Sequence, residues 1–165
     1  MAAWARLTAP IALAIAAAGP GAAQPGESGQ PALEPAQIVS AAQDCLDSYK
    51  GFAVDPRQLK KRGWAKARLA GMGGLEAVMT GFVRDDGALM LVMRSTCMVK
   101  ARLVPPASAD GLAAAISERW AAQSVAGTDG MLAWRLPERK IELSPGPADG
   151  TNVSVTISSV LAGIE

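Results

Sequence analysis

The chain has 165 residues, of which 50% are apolar, with 16 Lys and Arg residues against 15 Asp and Glu residues, two cysteines and no histidine. This length fits one compact domain, and the balanced charge excludes a dedicated nucleic-acid binder, which needs an excess of clustered cations. Without an imidazole, the chain also cannot build a Ser-His-Asp or Cys-His nucleophile system or a His-ligated zinc site.

The first 23 residues have the pattern of a secretory signal peptide. Arg6 precedes a short apolar run, residues 7–18, and small residues follow, which favours cleavage after Ala23 over cleavage after Ala18. A membrane anchor is the alternative, but a spanning helix needs about 20 consecutive apolar residues and this run is shorter. The sequence therefore predicts an exported protein, periplasmic or secreted, whose mature form has no transmembrane segment.

Residues 24–35 are predicted to form a disordered linker. Pro, Gly, Gln and Ser dominate this stretch, and such residues bury too little apolar surface to offset the entropy of ordering the chain. No internal repeat is visible in the rest of the sequence. A single domain is therefore expected to span residues 36–165.

The domain opens with a predicted helix. Apolar side chains recur every three or four residues from Ile38 to Tyr49, which is the spacing of one helical face, and Pro35 suits the first turn. Asp44 and Asp47 fall on the other face of this helix. We interpret them as a solvated pair rather than as an acid and a base that share a cleft.

A second, short helix is predicted after Asp55. The Asp55 side chain can cap it, Pro56 fits its first position, and Gly63 can close it after a run of cations. Residues 64–69 then read as a strand. The glycine-rich segment 71–74 is expected to form a turn or a mobile loop.

Strands dominate the middle of the chain. Residues 75–84 and 88–94 flank an Asp-Asp-Gly turn at 85–87, and Asp-Gly favours the positive backbone angles of a tight hairpin. Residues 97–103 alternate between apolar and polar side chains, which predicts a strand with one solvated face. That solvated face consists of Met98, Lys100 and Arg102.

The last third of the chain adds one helix and more strands. Ser108 can cap the helix, and its core stripe consists of Leu112, Ile116 and Trp120. Residues 131–136 and 140–143 are predicted to form a second hairpin, and residues 153–157 a final strand. Runs of strands separated by a lone helix indicate an α+β domain, with a mainly antiparallel sheet and two main helices on one face.

The two cysteines predict a disulfide bond. An even cysteine count in an exported protein usually means a bridge, and Cys45 and Cys97 each lie on the predicted buried side of their element. The bond would join the first helix to the sheet and contribute about 4 kcal/mol by chain-entropy arguments. A redox-active pair is the less favoured alternative, because the CxxC spacing is absent. Two unpaired buried thiols are the other alternative.

A cluster of positive charge is the second feature that points to function. Six cations surround one aromatic residue without an intervening acid, and the candidate binding residues are Arg57, Lys60, Lys61, Arg62, Trp64, Lys66 and Arg68. Such a segment can receive a carboxylate, a phosphate, an anionic lipid headgroup or an acidic partner surface. The alternative is a solvated helix end in which the cations are only locally stabilising and Trp64 belongs to the core.

No catalytic, metal or cofactor motif is present, so we assign no catalytic residue, no metal ligand and no cofactor. Two functional interpretations remain. The first is a non-catalytic exported module that binds a protein or an anionic envelope component, with no nucleic acid as partner. The alternative is an exported hydrolase-type enzyme whose carboxylates or hydroxyls converge only in the folded chain.

Overall fold

The computed structural model of the protein describes residues 32–69, 78–127, 130–146 and 151–160. The predicted signal peptide, residues 1–23, lies outside these ranges, as do most of the predicted linker and the glycine-rich segment 71–74. Among the residues that the structure describes, no helix is both long and apolar enough to cross a bilayer.

The helices and the strands of the two long runs follow the predicted order of helix, short helix, strands, helix and strands, with one short strand before the first helix and two short strands after it. The helices are α1 (Pro35–Asp47), α2 (Pro56–Lys61) and α3 (Ala109–Trp120). The strands are β1 (Ala32–Leu33), β2 (Tyr49–Lys50), β3 (Ala53–Val54), β4 (Ala65–Ala67), β5 (Thr80–Val83), β6 (Leu89–Met93), β7 (Thr96–Leu103), β8 (Val125–Ala126), β9 (Leu132–Arg135), β10 (Arg139–Pro145) and β11 (Asn152–Ser159).

Nine of these strands form one sheet. Eight of them follow the order β4-β5-β6-β7-β11-β10-β9-β8 with antiparallel pairing throughout, and β1 pairs with β7 in parallel. At the centre, β7 and β11 pair over most of their length, with Val99 opposite Val155. Strands β2 and β3 form a separate small hairpin. The sheet confirms the predicted α+β class.

One face of the sheet packs against α1 and α3, which also pack against each other. The alternation predicted for residues 97–103 is confirmed, because Cys97, Val99, Ala101 and Leu103 are all fully buried under the helices. The remaining large buried side chains on this side include Trp134, Phe82, Met90, Ile141, Leu143 and Val155. We call the other side of the sheet, which carries Met98, Lys100 and Arg102, the open face.

The topology is duplicated, although the sequence shows no repeat. Helix α1 precedes the four-stranded meander β4–β7, and α3 precedes the four-stranded meander β8–β11. The last strands of the two meanders meet as the central pair of the sheet. The halves differ in one respect: β2, β3 and α2 lie between the helix and the meander of the first half only.

Local signals in the sequence agree with the observed element ends. Asp55 caps α2, because its carboxylate accepts from the Arg57 backbone N–H at 2.8 Å, and Ser108 caps α3 in the same way through Gly111. The predicted hairpin is present between β5 and β6. Gly87 lies at φ +85° in its turn, a conformation that glycine adopts without strain.

Two boundaries differ from the prediction. The sequence predicts that the linker extends to residue 35, yet Leu33 is fully buried and lies opposite Leu103, because β1 pairs with β7. Helix α1 ends at Asp47, so Tyr49 is not part of its apolar stripe. The Tyr49 hydroxyl instead lies 2.9 Å from the Ser95 carbonyl oxygen, and burial raises the pKa of Tyr49 to about 12.

The disulfide bond forms as predicted. Cys45 of α1 is bonded to Cys97 of β7, the two residues are 52 positions apart, and their Cα atoms are separated by 6.5 Å. Both cysteines are fully buried. The bond therefore ties the first helix to a central strand from inside the core.

Candidate binding surface

Trp64 does not belong to the surface that the sequence suggested. The side chain is 1% exposed, and it packs in the core with Leu59 of α2 and with residues of the sheet. Gly63, at φ +85°, turns the chain between α2 and β4, so that the indole points inward. Trp64 therefore anchors the basic segment from inside the core, as the alternative interpretation of this residue expects.

Asp44 is the partner of this anchor. The Trp64 indole Nε1 donates to Asp44 Oδ2 at 3.0 Å, and Arg84 Nη1 donates to the same oxygen at 2.8 Å. Arg62 Nη1 lies 3.5 Å from Asp44 Oδ1, while Arg62 Nη2 lies 3.1 Å from Asp47 Oδ2. Asp44 is only 15% exposed, so the prediction that Asp44 and Asp47 form a solvated pair is wrong for Asp44.

Arg84 is the centre of the same group of side chains. Its Nε and Nη2 donate to the two carboxylate oxygens of Asp86 at 3.1 and 2.7 Å, which is the bidentate geometry of a strong ion pair. Its guanidinium carbon lies 5.1 Å from the centre of the Trp64 ring. The hydrogen bonds that Arg84 donates to Asp86 hold the pKa of the Asp86 carboxyl below its usual value. The same bonds raise the pKa of the Arg84 guanidinium.

We call these five residues the Asp44 cluster: Asp44, Arg62, Trp64, Arg84 and Asp86. The cluster joins α1, the connection between α2 and β4, and the turn between β5 and β6. Among the described residues, no buried side-chain nitrogen or oxygen lacks a hydrogen-bond partner. Its polar groups are thus used within the fold, and its role is to fix where the basic segment lies.

Five cations of that segment remain free of the cluster, and we call them the basic surface. They are Arg57, Lys60, Lys61, Lys66 and Arg68, and all five are exposed. Within the described ranges, none of them forms an ion pair with a carboxylate. Arg62, by contrast, is neutralised by Asp44 and Asp47, so it differs from its five neighbours.

The local structure explains why these cations share one side of the molecule. Arg57, Lys60 and Lys61 are three and four positions apart on α2, which places them on one helical face, while Leu59 is buried on the other. Lys66 lies opposite Phe82 in the β4–β5 pairing, and Phe82 belongs to the core beneath the helices. Lys66 therefore projects from the same side of the sheet that carries α2.

Three of the five cations of the basic surface, Arg57, Lys60 and Lys61, belong to the part of the fold that is not duplicated. Helix α2 has no counterpart in the second half, where α3 connects to β8 by a short turn. Exposed like charges on a helix that the second half lacks favour a specific function for this segment.

A groove with a volume of about 840 Å³ lies between α1 and α3. Two of its polar side chains bond to each other, since Arg119 Nε donates to Gln43 Oε1 at 3.2 Å. Gln43 Nε2 also donates to Asp47 Oδ1 at 2.7 Å. Asp44, which also lines this groove, is occupied by the Asp44 cluster. The described hydrogen bonds thus engage Gln43, Asp44 and Arg119 within the fold.

The described parts of the chain contain no group of three or more Cys, Asp or Glu residues that could hold a metal ion. The open face presents Met98 and Lys100 as half-buried side chains and Arg102 as an exposed one, as the alternation predicted.

Comparison of the chain with models of protein families, with curated proteins and with solved structures finds no match. The function has to be inferred from the residues of this chain alone.

Proposed function

We propose that this protein is an exported, non-catalytic binding module whose basic surface holds an anionic partner. One observation carries the proposal. Arg57, Lys60, Lys61, Lys66 and Arg68 are exposed without a carboxylate partner among the described residues, although the chain as a whole has nearly as many acids as cations. Uncompensated like charges on one side attract an anionic surface and accelerate its association.

The Asp44 cluster supports this proposal, because it separates structural cations from available ones. Arg62 and Arg84 are neutralised by Asp44, Asp47 and Asp86. The five cations of the basic surface have no such carboxylate partner among the described residues, so their charge is available to a partner. A solvated helix end would need no such buried anchor behind it. The anchor instead holds the cations in a fixed arrangement, which reduces the entropy lost on binding.

The disulfide bond supports the location outside the cytoplasm. Disulfide bonds persist in oxidising compartments and are rare among reduced cytosolic proteins. The Cys45–Cys97 bond is fully buried between α1 and β7, which fits a structural rather than a redox-active role. Together with the signal-peptide pattern of residues 1–23, the bond favours the periplasm or the extracellular medium.

The proposal is tested with two anionic probes, polyglutamate and phosphatidylglycerol vesicles. The test variant carries Arg57→Gln, Lys60→Gln and Lys61→Gln, which leave the ion pairs of Arg62 intact. Each ion pair between an exposed cation and the probe contributes up to about 1 kcal/mol to the free energy of binding. Loss of three such cations should therefore lower the affinity for the probe about tenfold. Thermal unfolding should stay close to that of the wild type.

A matched control removes the same charge elsewhere. Arg94→Gln, Arg102→Gln and Arg135→Gln replace three exposed cations outside the basic surface. This control should bind like the wild type. If the control loses more affinity than the test variant, the open face is the binding surface instead. If the wild type binds neither probe, the proposed function is wrong.

A further inference from the structure

Strand β4 is one end of the sheet. It pairs with β5 on one side only, and no hydrogen bond within the described residues joins its other edge to a further strand. Such an edge presents backbone N–H and C=O groups that can pair with an added strand. This edge lies within the basic surface, because Lys66 is at the centre of β4 and Arg68 follows it.

The charge on this edge determines which strand can be added. Two copies of β4 that met edge to edge would bring Lys66 and Arg68 close to their own counterparts, and like charges across a strand pair are destabilising. The same cations favour a strand that carries carboxylates. The opposite edge of the sheet, Val125–Ala126 in β8, has no charged side chain and offers no such selection.

The register of β4 predicts the side-chain pattern of the added strand. Lys66 projects toward the side of α2, whereas Ala65 and Ala67 lie opposite Val83 and Gly81 on the open face. Side chains of an added strand alternate in the same way. Those on the α2 side would meet cations, and those on the open side would meet small apolar residues.

A shallow groove beside β4 can accept the apolar side chains. Its volume is about 390 Å³, and Ala67, Leu69, Met79 and Gly81 form its apolar part, next to Lys66 and Arg68. Gly81 has no side chain, and a Cβ atom at this position would lie 2.5 Å from Leu69 Cδ2. Leu69 therefore packs directly over Gly81, and both residues line the groove.

We infer that the partner is an acidic, extended protein segment with alternating carboxylate and apolar residues, which adds to the sheet as a strand beside β4. The inference rests on the proposed function, and it names the class of partner. Backbone hydrogen bonds to the β4 edge supply affinity, and the cations and the groove supply specificity.

The test uses two synthetic peptides of alternating Glu and Val. In the second peptide, the backbone nitrogens that would face β4, which are those of every other residue, are methylated. This peptide has the same charge as the first, but it cannot form backbone hydrogen bonds with β4. We expect the first peptide to bind at least about tenfold more tightly. Amide resonances of residues 65–68 should shift on binding. Lys66→Glu should weaken binding, whereas Arg135→Glu, at an exposed cation outside the basic surface, should not.

The outcomes separate this inference from the proposed function. Equal affinity for the two peptides would mean that the basic surface binds by charge alone, which overturns the added strand and leaves the proposed function standing. Resonance shifts at residues 125–126 instead of 65–68, or a preference for phosphatidylglycerol vesicles over both peptides, would also overturn it. The absence of binding to any anionic probe would contradict both.

Discussion

The indole N–H of Trp64 donates to Asp44 Oδ2 over 3.0 Å, so that a fully buried aromatic ring is tied to a carboxylate of the neighbouring helix. Asp44 also accepts from Arg84, whose guanidinium lies against the same ring. A carboxylate with 15% exposure is stable there because two arginines and an indole replace its water. The basic segment is thus attached to α1 at a fixed point.

Replacement of Asp44 by Asn should destabilise the protein by about 1–3 kcal/mol. The variant keeps the shape of the side chain but removes the charge that pairs with Arg84 and Arg62. Asp47→Asn is the matched control, because Asp47 lies on the same helix but is 37% exposed, and it should cost at most about 1 kcal/mol. Urea unfolding at neutral pH measures the free energy of unfolding of both variants. Equal losses of stability would show that the Asp44 cluster stabilises the protein no more than an exposed ion pair does.

The pH dependence of stability should contain a contribution from Asp86. In the folded protein the pKa of Asp86 lies below its ordinary value of 3.8. The stabilisation by ionised Asp86 is therefore fully present above about pH 4 and is lost as the pH falls through the folded-state pKa. The isosteric variant Asp86→Asn lacks this ionisation. Between pH 6 and pH 3 the wild type should therefore lose more stability in urea unfolding than the variant does. A larger loss of stability in the variant would contradict a stabilising ion pair between Arg84 and Asp86.

The disulfide bond should be present in the purified protein and should matter for stability. Mass spectrometry without reductant should find the peptides of Cys45 and Cys97 linked. The double variant Cys45→Ala, Cys97→Ala should lose about 2–5 kcal/mol, because the bond restricts a long loop of the unfolded chain. Two freely alkylated thiols in the unreduced native protein would exclude the bond.

Processing of the N-terminus is a separate prediction. The short apolar run before Ala18 and the small residues that follow predict a mature chain that begins near Gln24. Intact-mass measurement of the protein from the exported fraction should give this start, without detergent during extraction. A mature species that retains residues 1–18 would show that this segment is not a cleaved signal peptide.

Features that depend on neighbouring residues in the sequence could be predicted. The Asp-Gly turn before β6, the caps Asp55 and Ser108, and the alternation in β7 each follow from local backbone preferences or from strand periodicity. The disulfide bond followed as well, because each cysteine could be placed on a buried face without knowledge of the sheet order. These elements were sufficient for the fold class.

Features that depend on distant residues could not be predicted. Asp44 is brought to Arg84 by packing between α1 and the β5–β6 turn, 40 positions along the chain. The one local indication in the sequence is that Asp44 lies next to Cys45, at the border of the buried face of α1. A polar side chain at such a border can bond to the element that packs against the helix. The burial of Leu33 likewise depends on β7, and no local pattern marks β1 as a strand.

The salt dependence of binding tests the role of the basic surface most directly. The affinity of the wild type for its anionic probe should fall steeply between low and moderate ionic strength, because exposed charges are screened. In the variant Arg57→Gln, Lys60→Gln, Lys61→Gln, the slope of the logarithm of affinity against the logarithm of salt concentration should be clearly smaller, while thermal unfolding is nearly unchanged. Equal affinities and equal slopes for the two proteins would contradict the proposal and would mean that the cations form only a solvated surface.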